Sequence, residues 1–205
     1  MKYVGWLSGI TGAILLLLYL FVFDTWVVPS DDKPLAISVL PVLKPQDRLL
    51  VRRGAVPTRN ELARCTSPEP GQQYVVGRVV AVGGERLEIT NERALVNGKG
   101  EVGRFGCTRL TMLHPVTQTE QTLACTTIET GASTSYEVLT SIEYPEGTRS
   151  ALIEPGKLYL LSDNRHLHKD SRDFGQIDAS TCERISFRIW GESFTDGSRR
   201  FNLIW

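Results

Sequence analysis

The sequence predicts a mostly β fold, built as curled antiparallel sheets or a partial barrel, with one N-terminal transmembrane helix. Three observations carry this expectation. No charged residue occurs between Tyr3 and Phe23, a length that matches the roughly 20 apolar residues a membrane-spanning helix needs. Downstream, short β-branched and apolar runs are separated by Gly, Pro and Asn, the pattern of strands joined by turns. Beyond the N-terminus no long stretch repeats its apolar residues at a helical period.

The N-terminal segment includes Ile14-Leu15-Leu16-Leu17-Leu18-Tyr19-Leu20-Phe21-Val22-Phe23. A cleavable secretory signal would have a shorter apolar region and end in small residues, whereas this one runs into Phe23-Asp24-Thr25-Trp26-Val27-Val28. Residues 1–28 are therefore expected to be a retained anchor, with Trp6, Tyr19 and Trp26 suited to lipid-facing or interfacial positions. Lys2 favours a cytoplasmic amino terminus, which places residues 29–205 outside the cytoplasm.

Pro29 and Pro34 break any helix that leaves the anchor. Leu35 to Leu43 is apolar except for Ser38 and ends on the Pro45-Gln46-Asp47 turn, after which Arg48-Leu49-Leu50-Val51-Arg52-Arg53 reads as a strand. Residues 54–72, rich in Pro, Gly and charge, read as a loop. Strand patterns follow in Tyr74-Val75-Val76, Val79-Val80-Ala81-Val82 and Arg86-Leu87-Glu88-Ile89. Asn97-Gly98 is a hairpin signal. Residues 101–150 are Thr-rich short segments that read as an all-β insertion. Lys157-Leu158-Tyr159-Leu160-Leu161 is a strand feeding a polar loop, and Arg184 to Trp190 is expected to be the last strand.

At 205 residues the chain allows one domain with a core and a small insertion. Its 23 basic residues balance its 23 acidic ones, so nothing electrostatic points to nucleic acid as a partner. Four cysteines, Cys65, Cys107, Cys125 and Cys182, fit an oxidising compartment, and no C-x-x-C spacing suggests zinc. Cys107 and Cys125 share the middle segment and are expected to pair. His166 and His168 alternate like two metal ligands on one strand face, but a third ligand is not apparent. Neither a metal nor another cofactor is expected.

The polar loop runs Ser162-Asp163-Asn164-Arg165-His166-Leu167-His168-Lys169-Asp170-Ser171-Arg172. By composition alone it is equally an ordinary solvated connection. In order, Asp-Asn-Arg, four residues, Asp-Ser-Arg and then an aromatic-Gly pair resembles the signature "GDNRxNSxDSRxxG" of type I signal peptidases, with Ser162 in place of the first Gly. Upstream, Ser38-Val39-Leu40-Pro41-Val42-Leu43-Lys44-Pro45-Gln46-Asp47 resembles the family stretch "SMxPTLxxGD". The resemblance implies that Ser38 is the nucleophile, that Arg78 pairs with Asp163, and that Asp170 pairs with Arg172. Asn164, Arg165 and Ser171 would support the site.

Two departures stand out. The family places a second Ser two positions before the nucleophile, where this chain has Ala36. It also pairs the nucleophile with a neutral Lys in "KRVxGxPGD", and this chain reads Gly77-Arg78-Val79-Val80-Ala81-Val82-Gly83-Gly84-Glu85. Gly77 has no side chain, and the neighbouring guanidinium stays protonated. His168 occupies the position of the family serine that lies beside the Lys, and an imidazole is the commonest general base. His168 is therefore the candidate base, with a solvent-facing histidine as the alternative.

The function implied is a membrane-bound serine endopeptidase that removes N-terminal signal peptides from exported preproteins at the outer face of the cytoplasmic membrane. Ile37, Val39 and Val80 are expected to line shallow pockets that select small residues at positions −1 and −3 of an extended peptide. Signal peptides and membrane lipid would be the partners. Two alternatives remain: a catalytically inactive paralogue that binds peptides at the membrane, and a processing peptidase with narrow substrates.

Overall fold

The structure is a computed structural model that describes residues 2–130, 135–142 and 147–204. It is mostly β, as the alternation of apolar and polar residues predicts. The strand order of the main sheet is β1-β2-β15-β3-β4-β13-β14, with β16 paired to β15. These strands are Phe23–Val27, Arg48–Arg52, Cys182–Trp190, Leu62–Thr66, Tyr74–Val82, Lys157–Leu161, Ile177–Asp178 and Asn202–Leu203. Every pairing is antiparallel. β15 pairs β2 with register shifts and then passes to β3, a bulged course of the kind that increases local twist and curls a sheet into a half-barrel.

A second sheet joins β5 (Arg86–Thr90), β6 (Arg93–Val96), β7 (Lys99–Gly100) and β12 (Arg149–Leu152). Asn97 and Gly98 turn β6 into β7, both at positive φ, as a tight hairpin requires. A third sheet forms the middle of the chain: β8 (Val102–Gly106), β9 (Leu110–Leu113), β10 (Glu120–Glu129) and β11 (Ser135–Ser141). Between residues 101 and 150 the described residues form these four strands, the start of β12 and the turns between them.

The N-terminal segment folds as helix α1, Lys2–Phe21. Among the described residues no helix is long and apolar enough to cross a membrane, so the transmembrane helix expected within residues 1–28 is not found. The helix stops at Phe21, and Phe23–Val27 are drawn into the main sheet as β1, opposite Arg52 to Arg48. Trp6, Ile10, Ile14, Leu16, Leu17, Tyr19 and Phe21 of α1 are exposed.

Three further features differ from the sequence reading. β3 lies inside the stretch expected as a loop; its Arg64 is buried between Asp24, Glu183 and the Tyr74 ring, which hides the strand in a run of mixed polarity. β16 follows the strand expected to be last. The segment after the first prolines forms a short helix, α2 (Lys33–Ser38), because Asp32 caps it through Leu35 N–H at 3.1 Å and Pro34 sits in its first turn, where no donor is needed.

Leu35 and Val39 pack under the sheet with Leu43, Leu49, Val51, Leu62, Val76 and Ile185. Disulfides join Cys65 to Cys182 across β3 and β15, and Cys107 to Cys125 within the middle segment. The second is the pairing the sequence suggested.

Candidate active site

β13 enters the site as a buried strand whose Leu160 and Leu161 pack in two different core clusters. Rigid packing of that kind fixes where the following loop begins. The loop, residues 162–170, ends in a one-turn helix, α3 (Ser171–Phe174), capped by Asp170. Ser38, at the end of α2, meets this loop at Asn164. The Asn164 N–H donates to the Ser38 carbonyl at 3.0 Å, and Asn164 Nδ2 donates to the Ile37 carbonyl at 3.2 Å. Asn164 Oδ1 in turn accepts from Leu167 N–H at 2.9 Å, which bends the loop around the contact.

Ser38 is fully buried, and its Oγ donates to the Leu35 carbonyl at 2.9 Å. That is the resting arrangement of a helix-terminal serine bonding back one turn. Gly77 lies in β4 next to Val76, which shares a core cluster with Leu35 of α2. A Cβ built at Gly77 would stand 3.1 Å from Leu160 Cβ and 3.2 Å from the Leu161 carbonyl oxygen. Position 77, where the resemblance puts the family base, therefore has no side chain, and a Cβ added there would crowd β13.

The two ion pairs implied by the resemblance are both present. Arg78 donates from Nε and Nη2 to the two Asp163 oxygens at 2.8 Å each, with both side chains wholly buried. Arg78 Nη1 donates to the Asn60 carbonyl, and the Tyr136 ring lies 3.8 Å from the Arg78 guanidinium carbon. Arg172 likewise holds Asp170, with Nε to Oδ1 at 3.0 Å and Nη2 to Oδ2 at 2.8 Å. Asp170 also accepts from Ser162 N–H at 2.7 Å. Burial alone would raise the Asp170 pKa, but the Arg172 charge and these donors outweigh it and hold the carboxyl below its usual range. Ser171 Oγ accepts from Leu160 N–H at 3.0 Å, tying α3 back to β13.

His168 Nδ1 lies 3.0 Å from Asp173 Oδ2 and 3.9 Å from Asp170 Oδ1. Although burial opposes it, the hydrogen bond from His168 keeps the Asp173 carboxyl ionised below its ordinary range. A carboxylate on Nδ1 fixes the orientation of an imidazole ring. His166 is engaged elsewhere, with Nδ1 3.2 Å from Oε1 of the buried Glu92. His168, Asp170 and Asp173 bring possible ligand atoms within 4.8 Å of one another. Arg172 and the Ser162 N–H occupy Asp170, so a metal is not assigned there.

The expected substrate pocket is not assembled as drawn. Val39 belongs to the core under α2, whereas Val80 belongs to a separate cluster with Leu87, Ile89 and Tyr159. Only Ile37 of the three is partly exposed. Sequence reasoning missed Asp173, Glu101, Tyr136 and Leu139. Asp173 was legible as the third residue after the Asp170 cap. The others act on the loop from a distant segment, and nothing local to them signals it.

A family model described as signal peptidase, peptidase S26, matches residues 2–190. Signal peptidase IB of Staphylococcus aureus, in strains Mu50 and COL, is 29% identical over 133 residues. That alignment covers 62% of this chain and 58% of each relative, so the chain spans less than two thirds of the curated relatives it matches.

Proposed function

The chain belongs to the signal peptidase family, peptidase S26, and from that premise we propose that it is a serine endopeptidase that removes signal peptides from exported preproteins. Ser38 is the nucleophile, and His168, oriented by Asp173, is the base in place of the family lysine. The observation that carries this reading is the backbone contact of Asn164 with Ser38, which joins two motifs 127 residues apart by the Ile37–Asn164 bond.

In this mechanism the Ser38 hydroxyl leaves the Leu35 carbonyl, gives its proton to the imidazole and attacks the scissile carbonyl. The imidazolium then protonates the leaving amine, and water hydrolyses the acyl-enzyme by the same proton path. Ala36 offers no hydroxyl to the oxyanion. Loss of one such donor costs on the order of 100- to 1000-fold in rate, so slow turnover is part of the proposal. Two disulfides support an oxidising compartment. The exposed apolar side chains of α1 support action at a membrane surface. Small residues at −1 and −3 are the expected substrate signature.

A specific observation favours a second reading. The Ser38 hydroxyl is buried and bonded to a carbonyl, and Leu160 and Leu161 close the space at Gly77. A chain so arranged binds an extended peptide without cutting it. A preprotein cleavage assay on the detergent-purified chain beside Ser38→Ala separates the two. Cleavage that needs Ser38 supports the peptidase, and saturable peptide binding without cleavage by either protein supports the binding module.

A further inference from the structure

The proposed chemistry leaves the third sheet unexplained, yet that sheet holds the loop from behind. Leu139 of β11 pairs with it in parallel: its N–H donates to the Asp163 carbonyl at 2.8 Å, and its carbonyl accepts from Arg165 N–H at 2.7 Å. Arg165 is fully buried and donates from Nη2 to Glu101 Oε1 at 2.8 Å. The same Glu101 oxygen accepts from the Tyr136 hydroxyl at 2.9 Å. Tyr136 places its ring against Arg78, which grips Asp163. Leu40, two residues past Ser38, packs on Leu123, Cys125 and Leu139 of the same sheet.

One carboxylate is thus connected to both ends of the segment that touches Ser38, reaching Arg165 directly and Asp163 through Tyr136 and Arg78. Burying an arginine opposite a carboxylate gains little net stability, because desolvation offsets the attraction. Such a pair does fix geometry, since each partner removed leaves the other uncompensated.

We propose that Glu101 is a positioning residue of the site, holding the Asp163-Asn164-Arg165 backbone in the register that lets Asn164 engage Ser38. The proposal rests on the reading that this loop serves Ser38. Glu101 acts on Ser38 through this loop and is not itself a reacting group.

The test is amide-resolved hydrogen exchange on the full chain in detergent, comparing the parent with Glu101→Gln and Glu101→Ala. Glutamine keeps an oxygen for the Tyr136 hydroxyl but loses the charge that faces Arg165, whereas alanine loses both. Exchange at Asn164 and Arg165 is expected to accelerate at least tenfold in Glu101→Ala and less in Glu101→Gln, with β2 and β15 keeping parental rates. Unchanged loop exchange overturns the proposal, and so does equal acceleration across β2 and β15, which marks a purely structural residue. Should Glu101→Ala not fold, Glu101→Gln and Tyr136→Phe carry the same test. The exchange readout needs no turnover, so a parent that cleaves nothing sinks the peptidase reading and leaves this one standing. In a parent that does cleave, Glu101→Gln is expected to lower kcat at unchanged KM, and an unaltered kcat contradicts the positioning role.

Discussion

Arg78 and Asp163, 85 residues apart in sequence, form a two-point ion pair at 2.8 Å with both side chains fully buried. Breaking a buried pair leaves an uncompensated charge and typically costs about 3–5 kcal/mol, whereas replacing both partners by apolar groups is often neutral. Asp163→Leu and Arg78→Met are therefore each expected to lower stability by about that amount. Arg78→Met combined with Asp163→Leu is expected to regain most of it. Urea unfolding of the three variants measures this, and additive losses in the double variant would show that the pair is not coupled.

Gly77 makes a second prediction because its neighbours leave no room. With Leu160 Cβ at 3.1 Å and the Leu161 oxygen at 3.2 Å from a built Cβ, Gly77→Ala forces β4 and β13 apart by a few tenths of an ångström. Overpacking of this kind costs about 1–3 kcal/mol, and in a domain of this size each kcal/mol lowers Tm by about 2–4 °C. Thermal unfolding reads the loss. Gly77→Lys is expected to be at least as destabilised and to gain no turnover; a gain would mean that the strands part readily and that only the base was missing.

Asp170 sets an acid limit. Its folded pKa lies below the ordinary carboxylate value of about 3.9. The ionised form therefore stabilises the fold fully above pH of about 4, and this contribution is lost as pH falls through the folded value. Denaturant midpoints measured from pH 5 downward should fall in the parent, and Asp170→Asn should show a shallower fall from a lower starting point. Parallel curves would remove Asp170 from the acid response.

What the sequence disclosed follows from contiguity. The loop from Ser162 to Arg172 and the stretch from Ser38 to Asp47 were readable because their residues keep their order and spacing in the chain. The Asn97-Gly98 hairpin was readable because two residues at positive φ carry their own signal. Helix α2 was obscured because a short apolar run fits helix and strand alike. Asp32 as cap and Pro34 in the first turn were the local clues. β3 was obscured because Arg64 is buried by partners at positions 24 and 183. Glu101 and Tyr136 were illegible for the same reason: their meaning lies in Arg165 and Arg78, which only the folded chain brings near. The packing of Val39 and Val80 into separate apolar clusters was likewise illegible, because the residues that complete each cluster lie far away in the chain.

Ser38→Ala is the cleanest probe of the proposed nucleophile, since the Leu35 carbonyl it vacates still accepts from Val39 N–H at 3.3 Å. Its stability is expected to stay within about 1 kcal/mol of the parent, so any loss of cleavage reports chemistry. The decisive measurement is the initial rate of preprotein cleavage by parent, Ser38→Ala and His168→Gln in detergent. The account predicts slow cleavage by the parent after a small-x-small sequence, none above background with Ser38→Ala, and a fall of at least 100-fold with His168→Gln. Cleavage by Ser38→Ala at the parental rate would contradict it.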